Sequence, residues 1–160
     1  LTGPPLLAHK ASAEGLVAAE AMAGGRAVRD IRAMPAVVYT TPALGTVGMS
    51  EPEARAAGRK VRTGMFPLAA SGRAMAMGGG EGVVKVVADA VTDELLGVGA
   101  VGPDVDGIVS EAALAIEMGA TAEDLALTVH PHPTLAEALM EAAEAVHGMA
   151  VHLPPPAAKR

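Results

Sequence analysis

Two histidines, His130 and His132, stand one residue apart in the stretch HPHPTLAEAL, each followed by a proline, and Glu137 lies a short way beyond. Imidazole is the side chain that changes charge nearest neutral pH. A carboxylate beside it fixes the tautomer and stabilises the protonated ring. A histidine backed by a glutamate is therefore the supporting half of general acid–base chemistry. Pro131 and Pro133 restrict the histidines to extended backbone, and each His-Pro bond is open to the cis form, which would make a tight corner. Alternation along an extended chain points both rings to one side. Thr134 and Glu137 have the T-x-x-E spacing of a capping box, with Thr134 as the expected N-cap. Side chains in a first helical turn lean back toward the N-terminus, so Glu137 leans toward His132.

Spacing alone leaves other roles open. Glu137 can serve only as a cap. Glu137, Glu141 and Glu144 follow helical spacing, the usual sign of a solvated face. An H-x-H pair can also ligate zinc, with Glu137 as a third ligand. Of the remaining histidines, His147 reads as a helix-end cation and His152 as a tail residue. His9 carries no reading by itself.

The elements that must position these residues follow from local pattern. A Gly-Pro-Pro turn precedes a small-residue helix over about Leu7–Met22, closed by Gly24 and Gly25. Charged residues from Arg26 to Arg32 form a linker. AVVYTTPALGTVGMS gives two β-like stretches broken by Pro42. Ser50 and Glu53 form a capping box with Pro52 in the first turn of a helix that ends at Gly58. KVRTGMFPL reads as a strand and ASGRAMAMGGGEG as a loop or short helix. GVVKVVADAVTDELLGVGAVG is a hairpin around a Thr-Asp-Glu turn, ended by Pro103. An amphipathic helix follows to Gly119, and Thr121 and Asp124 begin a short one. HLPPPAAKR is a Pro-rich tail, expected to be disordered. The order predicts an α+β fold with an antiparallel sheet flanked by helices.

Composition limits what the site can do. The chain has 160 residues, 51% apolar and 19% charged, which is globular rather than disordered. Aromatics are 1%, so the core must come from Val, Leu, Ile, Met and Ala, and no base-stacking platform is available. The formal charge of −6 also speaks against nucleic acid as a partner. There is no cysteine, so no disulfide, thiolate metal site or thiol nucleophile comes from these residues. No apolar run approaches about 18 residues and no leader pattern is visible, so a cytoplasmic protein without a membrane partner is the expectation.

HPHPTLAEAL resembles the C-terminal signature of the dihydrolipoamide dehydrogenase family of flavoprotein disulfide oxidoreductases. GPPLLAHKASAEG resembles that family's flavin-contacting helix, MPAVVYTTPALGTVGMSEPEARAAG the start of its dimerisation domain, and GAVGPDVDGIVSEAALAIEMGATAEDLA its later hairpin and helices. The match runs in order to about Gly148. The doubled His-Pro favours this branch over glutathione reductase, which shares only the His-Pro-Thr-x-x-Glu core. The resemblance implies residues 1–25 as the last helix of an FAD-binding domain, 26–34 as linker, 35–148 as dimerisation domain and 149–160 as tail. The Cys-x4-Cys disulfide, the rest of the FAD domain and the NAD domain have no counterpart here, so the expectation is the C-terminal third of such an enzyme.

The same resemblance implies that His132 exchanges a proton with a reactive dithiol, that Glu137 orients it, and that His130 and Pro133 line the site. It implies that Leu6, Leu7, Ala8 and His9 touch the flavin, and that His132–Pro133 is cis. The implied cofactors are FAD and NAD, bound mainly by domains absent from this chain. The implied partners are a second copy in a homodimer and the lipoyl domain of a 2-oxo acid dehydrogenase or glycine cleavage complex. The alternatives are a dimerisation module without catalysis and a related FAD-dependent disulfide reductase.

Overall fold

The computed structural model describes residues 2–154. Five antiparallel strands form one sheet in the order β1-β2-β5-β4-β3. They are β1 (Ala36–Val38), β2 (Ala43–Gly48), β3 (Val61–Pro67), β4 (Val83–Asp89) and β5 (Leu95–Gly102). The helices are α1 (Ala8–Met22), α2 (Glu51–Ala56), α3 (Gly72–Ala76), α4 (Val105–Glu117), α5 (Ala122–Leu127) and α6 (Glu137–Val146).

The expected α+β architecture is thus observed, and the local signals account for it. Thr41–Pro42 is cis and separates β1 from β2. Ser50 and Glu53 make the complete capping box of α2, and Thr121 and Asp124 make that of α5. The β4–β5 hairpin turns through Asp93 in the left-handed region, with φ of 64°. Its stem is held by Asp89, whose carboxylate accepts the Val91 and Thr92 N–H groups and the Arg59 guanidinium.

α4 lies across β2 and β5, α6 across β3 and β4, and α5 against α6. Alternation brings Val47, Val86, Val98 and Phe66 to this helical side, where all are buried. Phe66 is the sole aromatic in a core otherwise built from Val, Leu, Ile and Ala. Two strand glycines allow close approach of the helices. A Cβ at Gly64 would lie 2.0 Å from the Ala142 carbonyl oxygen of α6, and one at Gly45 2.8 Å from Val109 Cγ1 of α4. The opposite face is covered by α2 only around Ala54, Val61, Val87 and Leu96. Beyond that cover Leu44 and Met65 stand exposed.

Of the expected tail, residues 149–154 fall within the described part. They turn back along α6, where Leu153 packs on the core. Residues 155–160 lie outside the described residues.

Candidate active site

The corner between α5 and α6 carries the His-Pro repeats. His132–Pro133 is cis. The Thr134 hydroxyl donates to the Pro131 carbonyl at 2.8 Å, closing the bend on itself. That bond corrects one expectation: Thr134 is not the helix N-cap. α6 begins at Glu137, with Ala136 in helical conformation at the cap position. Only half of the capping box forms, as Glu137 Oε2 accepts the Thr134 N–H at 2.7 Å.

The other oxygen of Glu137 faces the histidine. His132 Nδ1 and Glu137 Oε1 are 2.9 Å apart. A carboxylate only accepts, so the ring donates from Nδ1 and its Nε2 is left free. The side chain of His132 is 74% exposed, so that nitrogen is open to a reactant. Burial pushes the Glu137 carboxyl up. The Thr134 N–H, the hydrogen bond and charge of His132 and the charge of His152 together outweigh this and hold it below the usual glutamate value. Capping and orienting thus coincide in one side chain.

The two histidines do not share an environment, which overturns the expectation that extended alternation turns both rings to one side. The His130 side chain is only 4% exposed. Its Nδ1 meets the Thr128 carbonyl at 2.8 Å and its Nε2 meets Glu111 Oε1 of α4 at 2.8 Å. With both nitrogens engaged, His130 ties the corner to α4 and has none free for proton transfer. The separated partners also remove the H-x-H geometry from which the zinc alternative started. Among the described residues, no group of three or more His, Cys, Asp or Glu side chains is arranged to hold a metal ion.

A cavity of about 180 Å³ opens beside the dyad, lined by His132, Glu137, Phe66, Ser71, Met75 and their neighbours. Glu141 and His152 complete its wall, and neither was assigned to a site from the sequence. Glu141 is 3% exposed, so the solvated-face reading of the α6 glutamates fails for it. His152 Nδ1 donates to Glu141 Oε1, and the His152 N–H lies 3.3 Å from Oε2. Neither His130 nor Pro133 is among the residues lining this cavity. His147 meets Asp93 of the hairpin turn at 3.3 Å.

The N-terminal stretch lies apart from this cavity. Leu6 is exposed, Leu7 takes the cap position of α1 without a side-chain cap, and Ala8 opens the helix. His9 Nε2 meets the Pro35 carbonyl at 2.7 Å, which fastens α1 to the start of the sheet domain.

The five-stranded antiparallel sheet backed by helices matches the fold of a disulfide oxidoreductase dimerisation domain. The chain belongs to the family described as the pyridine nucleotide-disulphide oxidoreductase dimerisation domain, which matches residues 34–143. It is 60% identical over 150 residues to a dihydrolipoyl dehydrogenase of Thermus scotoductus, covering 94% of this chain and 32% of that one. It is 55% identical over 148 residues to a dihydrolipoyl dehydrogenase of Halobacterium salinarum, covering 92% and 31%. Among solved structures, an HOCl-induced flavoprotein disulfide reductase from Escherichia coli superposes with a TM-score of 0.82 at 26% identity, over 89% of this chain and 33% of that one. The chain spans about a third of the length of the curated relatives it matches.

Proposed function

We propose that these residues work as the C-terminal, dimer-forming part of a dihydrolipoyl dehydrogenase, with His132 as the acid–base group and Glu137 as its orienting residue. The observation that carries this is the division of His132: Nδ1 is committed to Glu137, while Nε2 meets no hydrogen-bond partner among the described residues on a largely exposed side chain. A dihydrolipoyl thiol is a weak nucleophile until it loses its proton. His132 Nε2 takes that proton, and Glu137 stabilises the resulting imidazolium. The thiolate attacks one sulfur of a disulfide, forming a mixed disulfide and releasing the other sulfur as thiolate. The second substrate thiol then displaces the remaining sulfur, giving the oxidised lipoyl group and a reduced dithiol. The disulfide is not supplied by this chain, which has no cysteine.

A bound flavin would supply the electron-accepting chemistry between the reduced dithiol and a nicotinamide. The stretch at Leu6, Leu7, Ala8 and His9 fits one edge of such a site. The uncapped start of α1 leaves first-turn amides without side-chain acceptors, and these can meet a polar ring edge. The sheet is antiparallel throughout, and no parallel βαβ crossover occurs among the described residues, so none of these elements offers the dinucleotide fold that NAD would need. Exposed Val38, Tyr39, Leu44, Met65, Leu114 and Met118 leave apolar surface for a second copy. The reading places His132 against the partner's disulfide and takes a lipoyl domain as the carrier of substrate, in the cytoplasm.

The test is a chimera in which this chain replaces the matching C-terminal third of the Thermus scotoductus relative. The chimera should reduce NAD with dihydrolipoamide. His132→Gln should lower kcat/KM by roughly 10²–10⁴-fold, the usual contribution of an acid–base group. Sedimentation equilibrium should show a dimer for both. A dimeric, flavin-loaded chimera without turnover, or one indifferent to His132→Gln, refutes the proposal.

A further inference from the structure

The cavity beside His132 has a second histidine–carboxylate pair, and the reaction as derived makes no use of it. Glu141 sits one helical turn after Glu137 on α6, so the two carboxylates share a helix face. Glu141 is buried, and an unpaired buried carboxylate is strongly unfavourable. Both its oxygens are met by one residue, through the ring and the backbone N–H of His152. The contact bends the segment after Gly148 back over α6 and makes His152 part of the cavity wall.

We propose that Glu141 and His152 are a positioning pair of the same site: His152 occupies Glu141, closes one wall of the cavity and places a positive charge beside Glu137. The inference rests on the proposed role of His132 and Glu137. An unoccupied Glu141 would compete with Glu137 for the His132 proton and would repel the charge on Glu137. With His152 in place, Glu137 is the carboxylate left to orient His132.

The charges around Glu137 come from three segments. His132 approaches from the corner, Glu141 and Glu144 share α6, and His152 comes from the returning segment. The opposite wall offers Phe66, Ser71 and Met75, which carry no charge. The hydrogen bond and charge of Glu141 raise the His152 pKa above the ordinary imidazole value, helped by Glu137 and Glu144. His152 is therefore cationic throughout the range in which Glu137 titrates. Burial and the neighbouring Glu141 raise the Glu144 carboxyl.

Carboxyl-carbon and imidazole NMR of this 160-residue chain tests the pair without reference to catalysis. In His152→Gln, the Glu137 titration should move to higher pH, and His152→Lys should move it back. In Glu141→Gln, the His152 titration should fall toward the ordinary histidine value. An unmoved Glu137 in His152→Gln, or an unmoved His152 in Glu141→Gln, overturns the pair. In the chimera, His152→Gln should shift the acid limb of dihydrolipoamide oxidation upward together with Glu137. Should Glu137 move while that limb stays, the pair stands as a structural contact and its part in the site falls, together with the proposed role of Glu137. Loss of turnover with His132→Gln would still be read separately.

Discussion

Replacing Gly64 by alanine adds one methyl group at the place where β3 touches α6. That carbon would lie 2.0 Å from the Ala142 oxygen, 2.5 Å from the Val146 nitrogen and 2.9 Å from the Ala145 carbonyl carbon. All three are backbone atoms, so no side chain can swing aside, and α6 must retreat by roughly 1.5 Å or more to reach ordinary contact. The helix buries Leu139, Ala142, Ala143 and Val146 against the sheet. A gap of about 1 Å already forfeits about half of the dispersion energy of each contact it opens, and this retreat is larger. Overpacking of this kind costs about 1–3 kcal/mol, and the rigid backbone partners put Gly64→Ala near the upper end. Restricting the unfolded chain returns about 0.4–1 kcal/mol. The net, about 2 kcal/mol, lowers the melting temperature of a chain this size by roughly 4–8 °C. Circular dichroism melts should show this drop beside Gly99→Ala, which meets nothing within 4 Å and should melt with the parent or slightly above it. A Gly64→Ala melt within about 2 °C of the parent would show that β3 and α6 do not approach as described.

Further expectations follow from the same contacts. Glu137→Gln can accept the Thr134 N–H with its one oxygen and then presents an NH₂ to His132, which forces the ring into the tautomer without a proton on Nδ1; dihydrolipoamide oxidation by the chimera should fall roughly 10²-fold or more while dimer mass is unchanged. The Glu137 carboxyl is held below its usual value, so its contribution to stability is present above about pH 4.5 and is lost as pH falls through the folded value; a parent–variant difference in melting temperature that did not narrow in acid would contradict this. Asp89 is held far below the usual carboxylate range by Arg59 and by the Thr92 and Val91 N–H groups, so Asp89→Asn should lower the melting temperature at pH 7, with the gap to the parent closing only well below pH 4. Ser50→Ala removes the acceptor of the Glu53 N–H and should destabilise α2 by about 1 kcal/mol in urea titrations, with the midpoint moving and the slope unchanged.

Much of the fold was legible because its signals are local. Pro42 had to interrupt a strand, Ser50 and Glu53 could cap only a helix between them and Gly58, and the Val-rich runs on either side of Thr92–Glu94 had to pair. The His132–Glu137 contact was legible for the same reason, since both ends lie within one bend. Thr134 misled because the bend it closes, by donating to the Pro131 carbonyl, delays α6 until Glu137 and leaves Ala136 at the cap position. His130 misled because its orientation is decided by Glu111 on α4, which no periodicity in the HPHP stretch encodes.

Glu141 shows where sequence pattern stops and packing begins. At about 100° per residue its position on α6 falls between the half-buried Glu137 and Glu144 and the apolar arc of Ala138, Ala142 and Val146. Helical spacing therefore groups it with Glu137 and Glu144 on what reads as a solvated face. In the folded chain Glu141 lines a cavity with Phe66 and Ala70 and is buried, so it needs a donor. The donor comes from His152, eleven residues on and past the end of the helix, in a stretch whose composition reads as tail. A local pattern can say that a carboxylate lies at the edge of a core. Only the packing of β3, α6 and the returning segment decides whether it is solvated or paired, and that choice places a second histidine beside the first.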